Sequence, residues 1–187
     1  ANLDCLLCLL RQALDAARAA TDDEDAHRRV VNSVASIIPQ LSLSLTPPEI
    51  AQQGYHLIYQ ILGNSDPFHQ AKTEANRTAL ALYPRLKKAV VNSEDPLLTA
   101  CKLAIVGNSI DLAPNFHQAD IGELLRTALV SPLVINDYPE FRDNINNSQH
   151  ILYIGDNAGE IVFDRVLIEE LHQVKELEID FMVRERP

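Results

Sequence analysis

Nothing in the sequence approaches the roughly 20 consecutive apolar residues that a membrane helix needs, and that absence argues against a spanning segment. The first residues also lack a basic stretch followed by an apolar run and a small-residue cleavage site, so no export signal is visible. Cysteine is scarce. There are three in 187 residues, an odd number too small for a disulfide framework. With Cys5 and Cys8 spaced C-x-x-C, this fits a reducing, cytoplasmic setting. Positive charge is also in deficit, with 16 Lys+Arg against 26 Asp+Glu and a net charge of −10. Nucleic acid and anionic membrane are therefore poor partners. A phosphorylated small molecule stays open, because a bound metal ion reverses the local sign. No second C-x-x-C pair, H-x-x-x-H pair or G-x-S-x-G elbow occurs, which leaves little support for a structural zinc site or a serine hydrolase. No internal repeat or low-complexity tract appears.

The composition, 47 % hydrophobic and 22 % charged, is that of a globular chain able to bury about 70 % of its unfolded surface. Its first two thirds read as helices. Residues 3–20 set Leu3, Leu6, Leu7, Leu10, Leu14 and Ala17 on one stripe. A second helix covers 22–38 and stops at Pro39. A third is opened by Thr46 with Glu49 three residues on, the capping-box spacing, and ends at Gly63-Asn64. A fourth starts at Asp66-Pro67 and carries Phe68, Ala71, Ala75, Leu80 and Leu82 towards Tyr83-Pro84. A fifth covers 96–106 and stops at Gly107-Asn108.

The grammar changes near residue 136. Residues 150–154 form a short apolar run closed by Gly155-Asp156-Asn157, the pattern of a buried parallel strand. A helix over 158–174 and a strand over 178–183 complete one βαβ unit. The expected organisation is a helical region at 1–135 followed by the start of an α/β domain at 136–187. Two parallel strands are too few for a doubly wound sheet. The expectation is that this chain is part of a longer protein, or that another polypeptide completes the sheet.

Chemistry concentrates in Gly155-Asp156-Asn157-Ala158-Gly159-Glu160, at the carboxyl end of the first strand, where open α/β sheets bind ligands. Asp156 and Asn157 offer hard oxygen donors suited to Mg²⁺ or Mn²⁺. The glycines leave amides open near a helix N-terminus, and Glu160 stands where it can orient a metal-bound water. The same residues also fit a plain helix cap, with Asp156 as N-cap and Glu160 favouring the helix dipole. A methyl-donor transferase on a Rossmann-like sheet competes, although its turn calls for a G-x-G-x-x-G-like pattern. A non-catalytic module, holding a ligand at this turn with Cys5 and Cys8 in a redox or metal-sensing role, is the third possibility. Lys72 and Asn76, four apart, share a helix face. Gly107-Asn108-Ser109-Ile110-Asp111 reads as a helix end and turn.

Taken in order, the C-x-x-C helix, Asp66-Pro67-Phe68 with Lys72 and Asn76, Gly107-Asn108 with Asp111, and Ile154-Gly155-Asp156-Asn157-Ala158-Gly159-Glu160 with Asp164 resemble the damage-control phosphatases. These are metal-dependent enzymes once grouped as domain of unknown function 89, and the C-x-x-C pair is similar to their prokaryotic-type subfamily. The resemblance implies an α/β fold: a helical N-terminal region packed on a Rossmann-like α/β/α domain, with only the first βαβ unit present. It implies hydrolysis of phosphomonoesters of small metabolites (sugar phosphates or damaged phosphometabolites) with Mn²⁺, Co²⁺, Ni²⁺ or Mg²⁺. Asp156 and Asn157 would hold the metal, and Asp156 and Glu160 would serve the chemistry. Lys72, Asn76, Asn108, Asp111 and Arg184 would face the substrate. A third ligand, an aspartate beyond Pro187, would be missing, leaving this chain alone inactive. The resemblance leaves the oligomeric state open.

Overall fold

A computed structural model describes residues 1–64, 66–109 and 118–183. It is mostly helical, with one small sheet. The helices are α1 (Leu3–Ala20), α2 (Glu24–Ile37), α3 (Pro47–Leu62), α4 (His69–Val91), α5 (Pro96–Ser109), α6 (Gln118–Val130), α7 (Tyr138–Asn147) and α8 (Glu160–Val174). The strands β1 (His150–Ile154) and β2 (Glu178–Met182) flank α8 and pair in parallel, His150 opposite Glu178 and Ile154 opposite Met182. The chain groups into two compact units, Ala1–Gln70 and Ala71–Glu185. Among the described residues, the second therefore holds four helices besides the βαβ segment.

In the first unit, α1 to α3 pack on one another around Leu9, Ala13, Ala16, Ala17, Val30, Val34, Ile50 and Ile58. The buried stripe of α1 is rotated from the expected one: Leu3 and Leu7 stay exposed, and Leu9, Ala13 and Ala16 face inward. Small residues decide this, because α1 approaches α3 so closely that a Cβ on Gly54 would sit 2.5 Å from Leu9 Cδ1. The capping box at Thr46 is as expected, with Glu49 Oε2 accepting from the Thr46 backbone N–H at 2.8 Å. Cys5 also has a structural part, since its N–H donates to Asn2 Oδ1 at 3.2 Å and its Sγ accepts from the Asn2 N–H at 3.5 Å. Cys8 is exposed.

In the second unit α4, α5 and α8 share a core containing Leu82, Leu86, Val90, Leu103, Phe163, Val166 and Leu171. Two sequence punctuators are overridden here. Pro84 lies inside α4 and not at its end. It costs the helix about 3 kcal/mol through a lost hydrogen bond and a ring clash. Burying Leu82, Leu86 and Val90 on either side returns roughly 1.5–3 kcal/mol each. Gly107 and Asn108 continue α5 to Ser109. Gly107 is there for space, because a Cβ would lie 2.6 Å from both Cβ and Cγ of Phe163. Helices α6 and α7 have no counterpart in the expected elements. α7 is tied to α5 through Asp95, which accepts from the Leu98 N–H and the Tyr138 hydroxyl and pairs with Arg142.

α4 and α8 are also joined by a charged cluster. The Glu169 carboxylate takes the Tyr83 hydroxyl at 2.6 and 2.7 Å, Lys87 Nζ at 3.0 Å and Arg165 Nε at 2.8 Å. Burial alone would raise the Glu169 carboxyl, but these donors prevail and hold it down at about 2. A depressed acid contributes stability above its unfolded value of roughly 4.3 and loses it as pH falls towards its folded value. Because a third of this side chain faces water, the expected loss between pH 5 and 2 is about 1–3 kcal/mol. Urea midpoints across that range should fall less steeply in Glu169→Gln than in the parent. Equal slopes would assign the acid lability to other groups.

Candidate functional site

β1 ends where the chain must leave the sheet, and two contacts define that exit. The Gly155 N–H donates to the Met182 carbonyl at 2.9 Å, extending the pairing by one residue. A Cβ on Gly155 would lie 2.8 Å from the Phe181 ring. Gly155 is therefore a packing glycine. The chain then passes through Asp156, Asn157 and Ala158 and enters α8 at Gly159, whose φ of +87° is a conformation that favours glycine.

Within this turn Asn157 Nδ2 donates to Glu160 Oε1 at 3.1 Å. The other oxygen, Glu160 Oε2, is buried with no hydrogen-bond partner. Burial pushes the Glu160 carboxyl above its usual range and the negative charges of Asp156 and Asp164 push the same way, against the Asn157 amide. Burial likewise raises Asp164, as does the charge of Asp156, while the Tyr153 hydroxyl opposes by donating to Asp164 Oδ1 at 2.8 Å. Burial and that same carboxylate push the Tyr153 hydroxyl well up. The charge of Asp156 thus bears on two half-buried carboxyls, Glu160 and Asp164, at the carboxyl end of β1.

From α4, Asn76 Oδ1 accepts the Gly159 N–H at 2.7 Å. That bond lays one face of α4 against the turn. Lys72, half-buried and one helical turn earlier, is on the same face. Asn108, exposed in the last turn of α5, follows the Gly107–Phe163 contact that sets this turn beside the start of α8. Asp111 and Arg184, also expected at the site, lie outside the described residues.

Asp164 and Tyr153 were given no role by sequence reasoning. Asp164 falls four residues after Glu160, one turn along α8, which is the available signal. Tyr153 gives none, because its partner is reached only once strand and helix pack. The N-cap position of α8 is Gly159, which has no side chain to cap the helix, and amides at a helix N-terminus favour an anion.

The donors suit a hard divalent cation in kind, with a carboxylate and an amide carbonyl at Asp156 and Asn157 and an orphaned oxygen on Glu160. In number they are part of a set. Among the described residues no three His, Cys, Asp or Glu side chains form a group able to hold a metal by themselves. No described helix is long and apolar enough to cross a membrane.

An α/β protein with acidic oxygen donors at the carboxyl end of a parallel strand is the class these features define. The chain belongs to the damage-control phosphatase ARMT1-like domain family, whose model matches residues 1–187, as the motif resemblance anticipated. It is 31 % identical over 185 residues to a damage-control phosphatase of Pyrococcus horikoshii, covering 98 % of this chain and 63 % of that protein. It is 32 % identical over 188 residues to one of Archaeoglobus fulgidus, covering 98 % and 64 %. The fold is similar to the crystal structure of the P. horikoshii DUF89 family protein, with TM-score 0.89, 29 % identity, and coverage of 100 % of this chain and 65 % of that one. The chain spans a little under two thirds of the length of the curated relatives it matches.

Proposed function

We propose that this protein is a metal-dependent phosphatase that hydrolyses phosphomonoesters of small metabolites, sugar phosphates or damaged phosphometabolites. In this reading the βαβ segment is the first part of a Rossmann-like α/β/α domain, and Cys5-x-x-Cys8 belongs to the prokaryotic-type subfamily. The observation that carries it is the acidic turn after β1. The charge of Asp156 raises both Glu160 and Asp164, that of Asp164 adds to Glu160, and Glu160 Oε2 is buried without a partner. Such crowding is relieved by a cation. Membership of a family described as damage-control phosphatases supports the same reading.

Asp156 and Asn157 would hold the divalent ion. When bound, it supplies charge neutralisation at the phosphoryl oxygens and lowers the pKa of water. The remaining work falls to the chain. Amides at the entrance of α8 orient a phosphate oxygen, and Lys72 adds a positive charge from the α4 face. Glu160, its proton affinity raised by burial and its neighbours, accepts a proton from the attacking water. Asn108, Asp111 and Arg184 are assigned to the substrate side of the pocket.

Turnover of an aryl phosphate and of a sugar-phosphate panel by the intact protein, titrated with Mn²⁺, Co²⁺, Ni²⁺ and Mg²⁺, tests this. We expect activity that a chelator abolishes and added metal restores. Folded protein without turnover under any of the four ions would overturn the reading.

A further inference from the structure

We propose that Asn76 is a positioning residue, setting the turn that carries Asp156 and Asn157, and not a contact to the substrate. Its functional consequence rests on the phosphatase reading, whereas its structural basis does not. The turn is held at its start by the Gly155 N–H on the Met182 carbonyl and at its end by the Ile161 N–H on the Asn157 carbonyl at 3.3 Å. Between these, the chain reaches a positive-φ conformation at Gly159 (φ +87°). Glycine has many other conformations available, so something must select this one.

Asn76 Oδ1 does so. It takes the Gly159 N–H at 2.7 Å from a helix 83 residues away in sequence, and because that group is a donor the facing atom must be the amide oxygen. Gly159 is buried, so water replaces the acceptor poorly. The two candidate metal donors lie two and three residues before Gly159. A rotation there swings the backbone from which both project.

The experiment uses the intact protein with Asn76→Ala, which removes the acceptor, and Asn76→Asp, which keeps an oxygen in its place. Three quantities are read: amide hydrogen exchange at Gly159 without metal, binding of Mn²⁺ alone from the free-ion EPR signal, and kcat against KM for an aryl phosphate. In Asn76→Ala, Gly159 exchange should rise at least tenfold, Mn²⁺ affinity should fall at least tenfold, and kcat should drop with KM within twofold. Asn76→Asp should restore the exchange protection and the Mn²⁺ affinity. Unchanged Gly159 exchange in folded Asn76→Ala overturns the proposal, as does loss of protection in folded Asn76→Asp. A tenfold rise in KM in both variants with normal Mn²⁺ binding also overturns it, and makes Asn76 a substrate contact. If the parent protein turns nothing over while Gly159 exchange and Mn²⁺ binding respond as expected, the phosphatase reading falls and the positioning role stands.

Discussion

Asp156→Ala is expected to lower metal-dependent phosphatase turnover of the intact protein by roughly 10³-fold, about 4 kcal/mol of transition-state stabilisation. The same change should leave the fold intact. Asp156 is exposed at the exit from β1, so its truncation creates no cavity. What it removes is a negative charge that raises both Glu160 and Asp164. A carboxyl raised in the folded state costs stability once pH climbs above its folded value, because folding then holds a charge in an unfavourable place. Without Asp156 that cost shrinks, which offsets the loss of the contacts Asp156 itself makes, and thermal midpoints at pH 7 should stay close to the parent's. Lost activity with retained stability is the signature of a group kept for function. Turnover within tenfold of the parent at saturating Mn²⁺ would remove Asp156 from the chemistry.

How much of this was legible before the structure depends on the range of the force involved. The strand at 150–154 and the Thr46–Glu49 cap were legible because each is decided within a few residues. The turn over 155–159 was legible as the exit from a strand into a helix, because its glycines and its place after the apolar run are both local. Pro84 and Gly107 misled because they act as local stops, and here burial of Leu82, Leu86 and Val90 and the contact with Phe163 outweigh those stops. The face of α1 misled for a related reason. Leucine spacing defined one apolar stripe, but closest approach to a neighbour favours the alanine side. Tyr153–Asp164 and Asn76–Gly159 join residues 11 and 83 apart, and no spacing rule reaches across a strand–helix or helix–helix packing.

The position of α5 relative to the site turns on one such packing contact. Phe163→Ala is expected to destabilise the second unit by about 3–5 kcal/mol, the range for emptying a fully buried aromatic site. Gly107→Ala should cost about 1–3 kcal/mol by overpacking, since its new methyl would meet Phe163 Cβ and Cγ at 2.6 Å. The neighbour that must yield is the root of a core side chain and not a flexible tip. Together the two changes should be less damaging than their sum, because the alanine at 163 no longer presents Cγ. The relief is partial, as its Cβ remains, so a coupling near the lower end of about 0.5–3 kcal/mol is expected. Phe163→Gly paired with Gly107→Ala should couple more strongly. Urea unfolding followed by circular dichroism gives all the terms. A Gly107→Ala variant as stable as the parent would mean that α5 and α8 can separate without loss, and that Asn108 is placed by something other than this contact.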